Sequence, residues 1–253
     1  MELFYREQGS GQPLIILHGL FGSSDNWLSI AKTLSEDYHV YIVDQRNHGQ
    51  SPNTPEFDYE TFVEDLKNFI QEKGIENPII IGHSMGGKVA MQFAAKYPEM
   101  LSKLVVVDIS PRQYPIHHQT ILEGLNAIDI DNLKGRGDAD KALATYVPEM
   151  GVRMFLLKNL YRKPEGGFGW RINLPVITEK IGNVGQRLTT NGVIDVPSLF
   201  VGGKNSNYIQ ASDKEEINTL FRNVDIKMVD GAGHWIHAEQ PEKFLSAVRE
   251  FIG

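Results

Sequence analysis

Gly82-His83-Ser84-Met85-Gly86 sets a serine among small residues, where the apolar run Ile79-Ile80-Ile81 gives way to a helical pattern. A G-x-S-x-G segment between strand and helix is the context of a nucleophile elbow. The turn is sharp, and flanking Cβ atoms would clash in it. It lifts Ser84 Oγ above the sheet, and the following helix aims its first N–H groups at the same place. The Met85 N–H is then a donor for an oxyanion. The chemistry this suits is nucleophilic acyl transfer.

A neutral hydroxyl needs an adjacent base. Of the eight histidines, His234 in Gly231-Ala232-Gly233-His234-Trp235 follows the last apolar run and precedes the last helix. A loop there emerges at the carboxyl edge of the sheet, where base and nucleophile can meet. His237 is the near rival, read as a surface position in a first helical turn. His18, in His18-Gly19-Leu20-Phe21-Gly22, is expected to shape the turn that offers a second oxyanion N–H. That donor is read as Leu20, with Phe21 as the alternative. Two such donors contribute roughly 3 kcal/mol each to transition-state stabilisation. His48 is expected to serve a loop turn, and His83 to pack under the elbow. His117-His118 lacks a carboxylate–histidine cluster of metal-ligand spacing and reads as solvent-facing.

A base of this kind also needs a carboxylate to fix its tautomer. In the order Ser, Asp, His, the acid is expected after the run Leu199-Phe200-Val201, but Gly202 through Tyr208 contains no Asp or Glu. Two candidates remain. Asp213 lies in or near the next helix, whereas Asp108 ends the apolar run Leu104–Val107 next to the nucleophile unit. A carboxylate ending such a strand is costly unless paired, which favours Asp108.

The elements that must position these groups are legible as strands alternating with helices. Leu14–Leu17, Val40–Val43, Ile79–Ile81, Leu104–Val107, Ser198–Val201 and Ile226–Val229 are nearly continuous apolar runs, as in strands covered on both faces. Phe62, Leu66, Phe69 and Ile70 repeat at helical spacing, as do Val89, Ala90, Phe93 and Ala94 before Pro98. Phe244, Leu245, Val248, Phe251 and Ile252 predict a last amphipathic helix. The alternation predicts a mostly parallel, doubly wound α/β sheet. From Pro111 to Asp195 the strand signal disappears, which predicts a helical cap over residues 111–195. The core is then formed by 1–110 and 196–253, with the cap inserted before the last two strands.

The 253 residues carry a formal net charge of −7, are 41% hydrophobic and include no cysteine. This excludes a disulfide framework and a thiolate nucleophile. It also disfavours a basic surface for nucleic acid or anionic lipid. The first residues do not read as a signal peptide, and no run is long enough to cross a bilayer. The expectation is a cytoplasmic protein without cofactor, metal or stable membrane insertion, of undetermined oligomeric state.

Together, His18 to Ser23, Asp44-Gln45-Arg46-Asn47-His48-Gly49-Gln50-Ser51, Gly82 to Lys88 and Val107-Asp108-Ile109-Ser110-Pro111 carry a family signature. The sequence resembles the small abhydrolase-domain esterases of bacteria and mitochondria, a branch of the α/β-hydrolase fold. That resemblance implies a metal-free carboxylic-ester hydrolase with a helical cap, acting on short to medium acyl esters. It also implies an acid missing from the late loop, which agrees with Asp108. Ser84, His234 and Asp108 are the expected catalytic residues, and Leu20 and Met85 the oxyanion donors. Phe21, Met154, Phe155 and Trp170 are the expected substrate-binding residues, with Phe168 a further wall candidate. A thioesterase using the same residues, or a low-turnover small-molecule receptor, are the alternative functions. A serine nucleophile argues against the dehalogenases and epoxide hydrolases of the same scaffold.

Overall fold

The computed structural model describes residues 1–253. The chain begins with β1 (Tyr5–Gln8), β2 (Gln12–Leu17), α1 (Leu28–Leu34) and β3 (Tyr38–Val43). It continues with α2 (Tyr59–Glu72), β4 (Ile79–His83), α3 (Met85–Lys96) and β5 (Lys103–Val107). Next come α4 (Gln119–Asn126), α5 (Arg136–Ala144), α6 (Met150–Leu157), β6 (Leu160–Arg162), β7 (Phe168–Trp170) and α7 (Leu174–Lys180). The chain closes with β8 (Ser198–Gly203), α8 (Asp213–Leu220), β9 (Val224–Val229), α9 (Ile236–Glu239) and α10 (Pro241–Ile252).

Seven strands form one sheet in the order β1-β3-β2-β4-β5-β8-β9. Only β1 runs antiparallel, pairing Tyr5 with Val43 and Gln8 with Val40 at one edge. That edge strand, Tyr-Arg-Glu-Gln, has no apolar run, because its faces are only partly covered and none of its four residues is buried. The inner strands carry alternate residues to opposite faces. Leu14 and Ile16 join the layer with α1 and α10, while Ile15 and Leu17 join the layer with α2 and α3. All four are buried, and each contributes roughly 1.5–3 kcal/mol relative to exposure.

The helices follow the expected spacing. Phe62, Leu66, Phe69 and Ile70 of α2 are buried, and Asp58 caps that helix by accepting the Thr61 N–H. Helix α3 ends at Lys96, just before Pro98.

Residues 111–195 differ from the expectation in one respect. They carry helices α4 to α7, but also the short hairpin β6–β7, where Leu160 pairs with Trp170 across the Gly166-Gly167 turn. Strands of three residues are too short to show a period of two, so the segment read as wholly helical. Three asparagines, Asn159, Asn173 and Asn183, fasten it to the core, Asn183 Nδ2 donating to Phe57 O at 2.8 Å. Asn173 donates from its backbone N–H to Asn47 O and from Nδ2 to Asn47 Oδ1, both at 2.9 Å. Asn159 Nδ2 donates to Phe21 O at 2.8 Å.

Candidate active site

Ser84 stands between β4 and α3 with φ 51° and ψ −116°, a conformation that costs an L-residue about 1–3 kcal/mol. The surroundings impose it. The Ser84 N–H donates to Val107 O on the neighbouring strand at 2.9 Å. The helix start lies so close to β2 that a Cβ on Gly86 would sit 2.5 Å from Leu17 O. A Cβ on Gly82 would sit 2.3 Å from Gly86 O. Gly86→Ala must therefore push α3 away from β2. We expect it to lower stability by about 3 kcal/mol in urea unfolding, with a marked loss of any activity that depends on Ser84. A wild-type unfolding midpoint would contradict this account.

His234 lies in the loop after β9, and its Nδ1 is 2.8 Å from Asp108 Oδ2. A carboxylate only accepts, so Nδ1 carries the proton and Nε2 keeps its lone pair. Asp108 itself has no exposed surface and a left-handed φ of 49°. Its backbone is fixed by donation from its N–H to Val201 O at 2.8 Å. Besides His234 Nδ1–H, the carboxylate accepts the Gly203 N–H at 3.0 Å and the Ser206 hydroxyl. Asp213, the other acid candidate, begins α8 and pairs with Arg112 Nε at 2.9 Å.

The loop after β8, which lacks an acid, thus supplies donors to one. It also supplies Tyr208, whose ring stacks on His234 at 4.1 Å. Neither Ser206 nor Tyr208 was singled out from the sequence. The only sequence signal was negative, a loop at the carboxyl edge with polar residues and no carboxylate.

The turn after β2 separates the two oxyanion candidates. The Phe21 N–H donates to His48 Nε2 at 3.2 Å, whereas the Leu20 N–H has no acceptor within the protein. The Met85 N–H, at the first position of α3, is equally free because a helix leaves its first N–H groups unpaired. Phe21 holds a left-handed φ of 60°, with its carbonyl tied to Asn159. His18 supports the turn from beneath, donating from Nδ1 to Gly19 O and accepting the Gln45 N–H at Nε2.

Ser84 and His234 open onto a cavity of about 450 Å³. Phe21 and Phe155 line it, with Ile121, Val152, Leu156 and Trp235. The other three expected wall residues, Met154, Phe168 and Trp170, do not. Met154 is 63% exposed, because it lies on the outer side of α6, one position from the wall residue Phe155. Trp170 pairs with Leu160 in the hairpin instead, and Phe168 is buried there.

Two histidine expectations also change. His237 is buried, with its ring stacked 3.9 Å from that of Trp27, because the short helix α9 folds against the α1 layer. His118 is half-buried and lines the cavity together with its more exposed neighbour His117. His117 Nδ1 donates to Pro115 O, so its Nε2 accepts the Tyr208 hydroxyl at 2.8 Å. His83 packs beside the elbow and donates from Nε2 to His234 O at 2.9 Å.

Burial holds these supporting imidazoles neutral. It lowers His18 and His118 to about 4, and His48 and His237 to about 3, while His83 falls well below the usual range. An unfolded chain takes up these protons near pH 6.5, and the folded chain does so only at much lower pH. The stability they confer is therefore complete above about pH 6.5 and is lost as pH falls toward 4. Each such histidine removes about 1.4 kcal/mol per pH unit in that window. Calorimetry from pH 8 to 4 should show the melting temperature falling steeply below pH 6. A flat profile would mean that these rings titrate normally.

A family model described as alpha/beta hydrolase fold matches residues 12–136. The chain is 40% identical to the sn-1-specific diacylglycerol lipase ABHD11 of Danio rerio, over 97% of this chain and 80% of that protein. It is 33% identical to esterase YbfF of Escherichia coli (strain K12), over 98% of this chain and 95% of that protein. A solved structure described as a marine microorganism esterase superposes with a TM-score of 0.97 at 43% identity, covering 99% of both chains.

Proposed function

The chain belongs to the α/β-hydrolase family, in an abhydrolase-domain esterase branch found in bacteria and eukaryotes, and is a carboxylesterase-type hydrolase; from that premise we propose that it cleaves short to medium acyl esters through Ser84, His234 and Asp108. The observation that carries this reading is the Asp108–His234 contact at 2.8 Å, made by a histidine that shares a cavity wall with Ser84.

In this mechanism His234 Nε2 removes the Ser84 proton as Oγ attacks the ester carbonyl. The N–H groups of Leu20 and Met85 receive the oxyanion, each worth roughly 3 kcal/mol to the transition state. His234 then returns the proton to the leaving alcohol, and water releases the acid from the acyl-serine by the same steps. Asp108 holds the imidazole in the tautomer with a free Nε2 and stabilises the imidazolium that forms. Tyr208 covers the imidazole face and limits its rotation. Residues 111–195 act as a cap whose α6 supplies much of the apolar wall. The cysteine-free sequence is in keeping with a cytoplasmic location, and no helix is long and apolar enough to cross a membrane.

The test is hydrolysis of p-nitrophenyl esters from acetate to dodecanoate, together with mass spectrometry after a fluorophosphonate. Turnover of the shorter esters and a single adduct on Ser84 are expected. Turnover of acyl-CoA thioesters alone would move the assignment to a thioesterase. No turnover and no adduct would favour a receptor.

A further inference from the structure

Ser84 lies in the wall common to two chambers of very different size. The larger, of about 450 Å³, has His234 and Trp235 in its wall. The smaller, of about 20 Å³, is lined by Leu20, Met85, Ile109, Ile116 and Val184, and His234 is not part of it. Both chambers include Leu20, His118 and Tyr208, so they meet at the nucleophile.

The direction in which an ester must lie follows from the tetrahedral carbon. Its four substituents are Ser84 Oγ, the oxyanion, the leaving oxygen and the acyl chain. The oxyanion goes to the Leu20 and Met85 N–H groups. The leaving oxygen must face His234, which protonates it as the bond to carbon breaks. The alcohol therefore extends into the chamber that His234 helps to wall. The acyl chain takes the remaining direction, into the small chamber beside Met85. A space of about 20 Å³ admits little more than one water-sized group, which limits the acyl chain to one or two carbons beyond the carbonyl.

We propose that the site is polar in this sense: it selects short acyl groups, acetyl or propionyl, carried on large apolar alcohols. The inference rests on the Ser84 esterase reading and specifies its substrate class. The overall step is ester plus water giving a short carboxylic acid and the alcohol, by way of a short acyl group on Ser84. The apolar wall of Phe21, Ile121, Val152, Phe155 and Leu156 suits an aliphatic or aromatic alcohol.

Two ester series measured on the same enzyme separate the arms. One varies the acyl chain on p-nitrophenol from acetyl to octanoyl. The other varies the alcohol of an acetate from ethyl to octyl, followed by acid release. The expected result is a fall in kcat/KM of at least about tenfold between acetyl and hexanoyl, and a rise of up to about fourfold for each methylene added to the alcohol. Ile116→Ala combined with Val184→Ala, which widens the small chamber, should move the acyl optimum to longer chains and keep the alcohol ranking. Val152→Trp, which narrows the large chamber, should reverse the preference for long alcohols. Rising activity with acyl length and indifference to the alcohol would overturn the orientation while leaving the esterase reading intact. No turnover in either series would overturn both.

Discussion

Ser84→Ala should lower ester turnover by about 10⁴-fold or more while leaving the melting temperature within a degree or two of wild type. The first part follows from the loss of the hydroxyl that the proposed mechanism uses to form the acyl bond. Binding and the two free N–H donors would remain, so a small residual rate above water is expected rather than none. The second part follows from the packing. The Ser84 strain is set by its backbone N–H on Val107 O and by the close approach of Gly86 to β2, and alanine inherits both unchanged. Calorimetry and initial rates on one preparation would check the pair. Full turnover in a folded variant would remove Ser84 from the mechanism. Lost turnover in a variant that melts early would leave the elbow's structural and chemical roles undivided, which is why both readings are needed.

Asp108→Asn is expected to cost about 10⁴-fold in kcat with little change in KM. The reason lies in how the carboxylate is used. Oδ1 accepts the Gly203 N–H, while Oδ2 accepts both the Ser206 hydroxyl and His234 Nδ1–H. An asparagine keeps its oxygen on the Gly203 N–H, because that backbone donor cannot be turned. Its amide NH₂ then faces His234 and forces the imidazole proton onto Nε2, which leaves no lone pair for the Ser84 proton. Asparagine tolerates the left-handed φ of this position, so the fold should survive. Ser206→Ala, which leaves the His234 contact in place, should cost only about tenfold. Asp213→Asn, which loosens a pair with Arg112, should change stability more than turnover. Comparable losses for Asp108→Asn and Asp213→Asn would argue against a special role for the buried acid.

The sequence by itself determined the inner strands of the sheet, the long helices between them and their order. Short continuous β-branched runs between turn residues favour strands covered on both faces, and spacings such as Phe62, Leu66, Phe69 and Ile70 place apolar groups on one side of a helix. Those two periods, with Pro98 as a stop and the small residues around Ser84, were enough to give the parallel sheet and the expected elbow. The polar edge strand β1 and the three-residue strands of the hairpin have no such period and escaped, as did α1, whose single short stretch of Ile30, Ala31 and Leu34 spans barely two turns. Side-chain direction within a pattern escaped as well, so Phe155 reached the cavity while Met154, one residue earlier, faces solvent. Only the tertiary structure decided which distant polar groups meet. His234 contacts Asp108 and not Asp213 because Asp108 ends β5 at the carboxyl edge beside β8, whereas Asp213 begins α8 and faces Arg112, and the loop after β8 closes over the Asp108 carboxylate with the Gly203 N–H and the Ser206 hydroxyl. It also decided that Phe21 spends its N–H on His48 and leaves Leu20 free. A hydrogen bond between loops depends on ångström distances and angles that no local propensity encodes, whereas burial pattern and turn chemistry are written residue by residue in the chain.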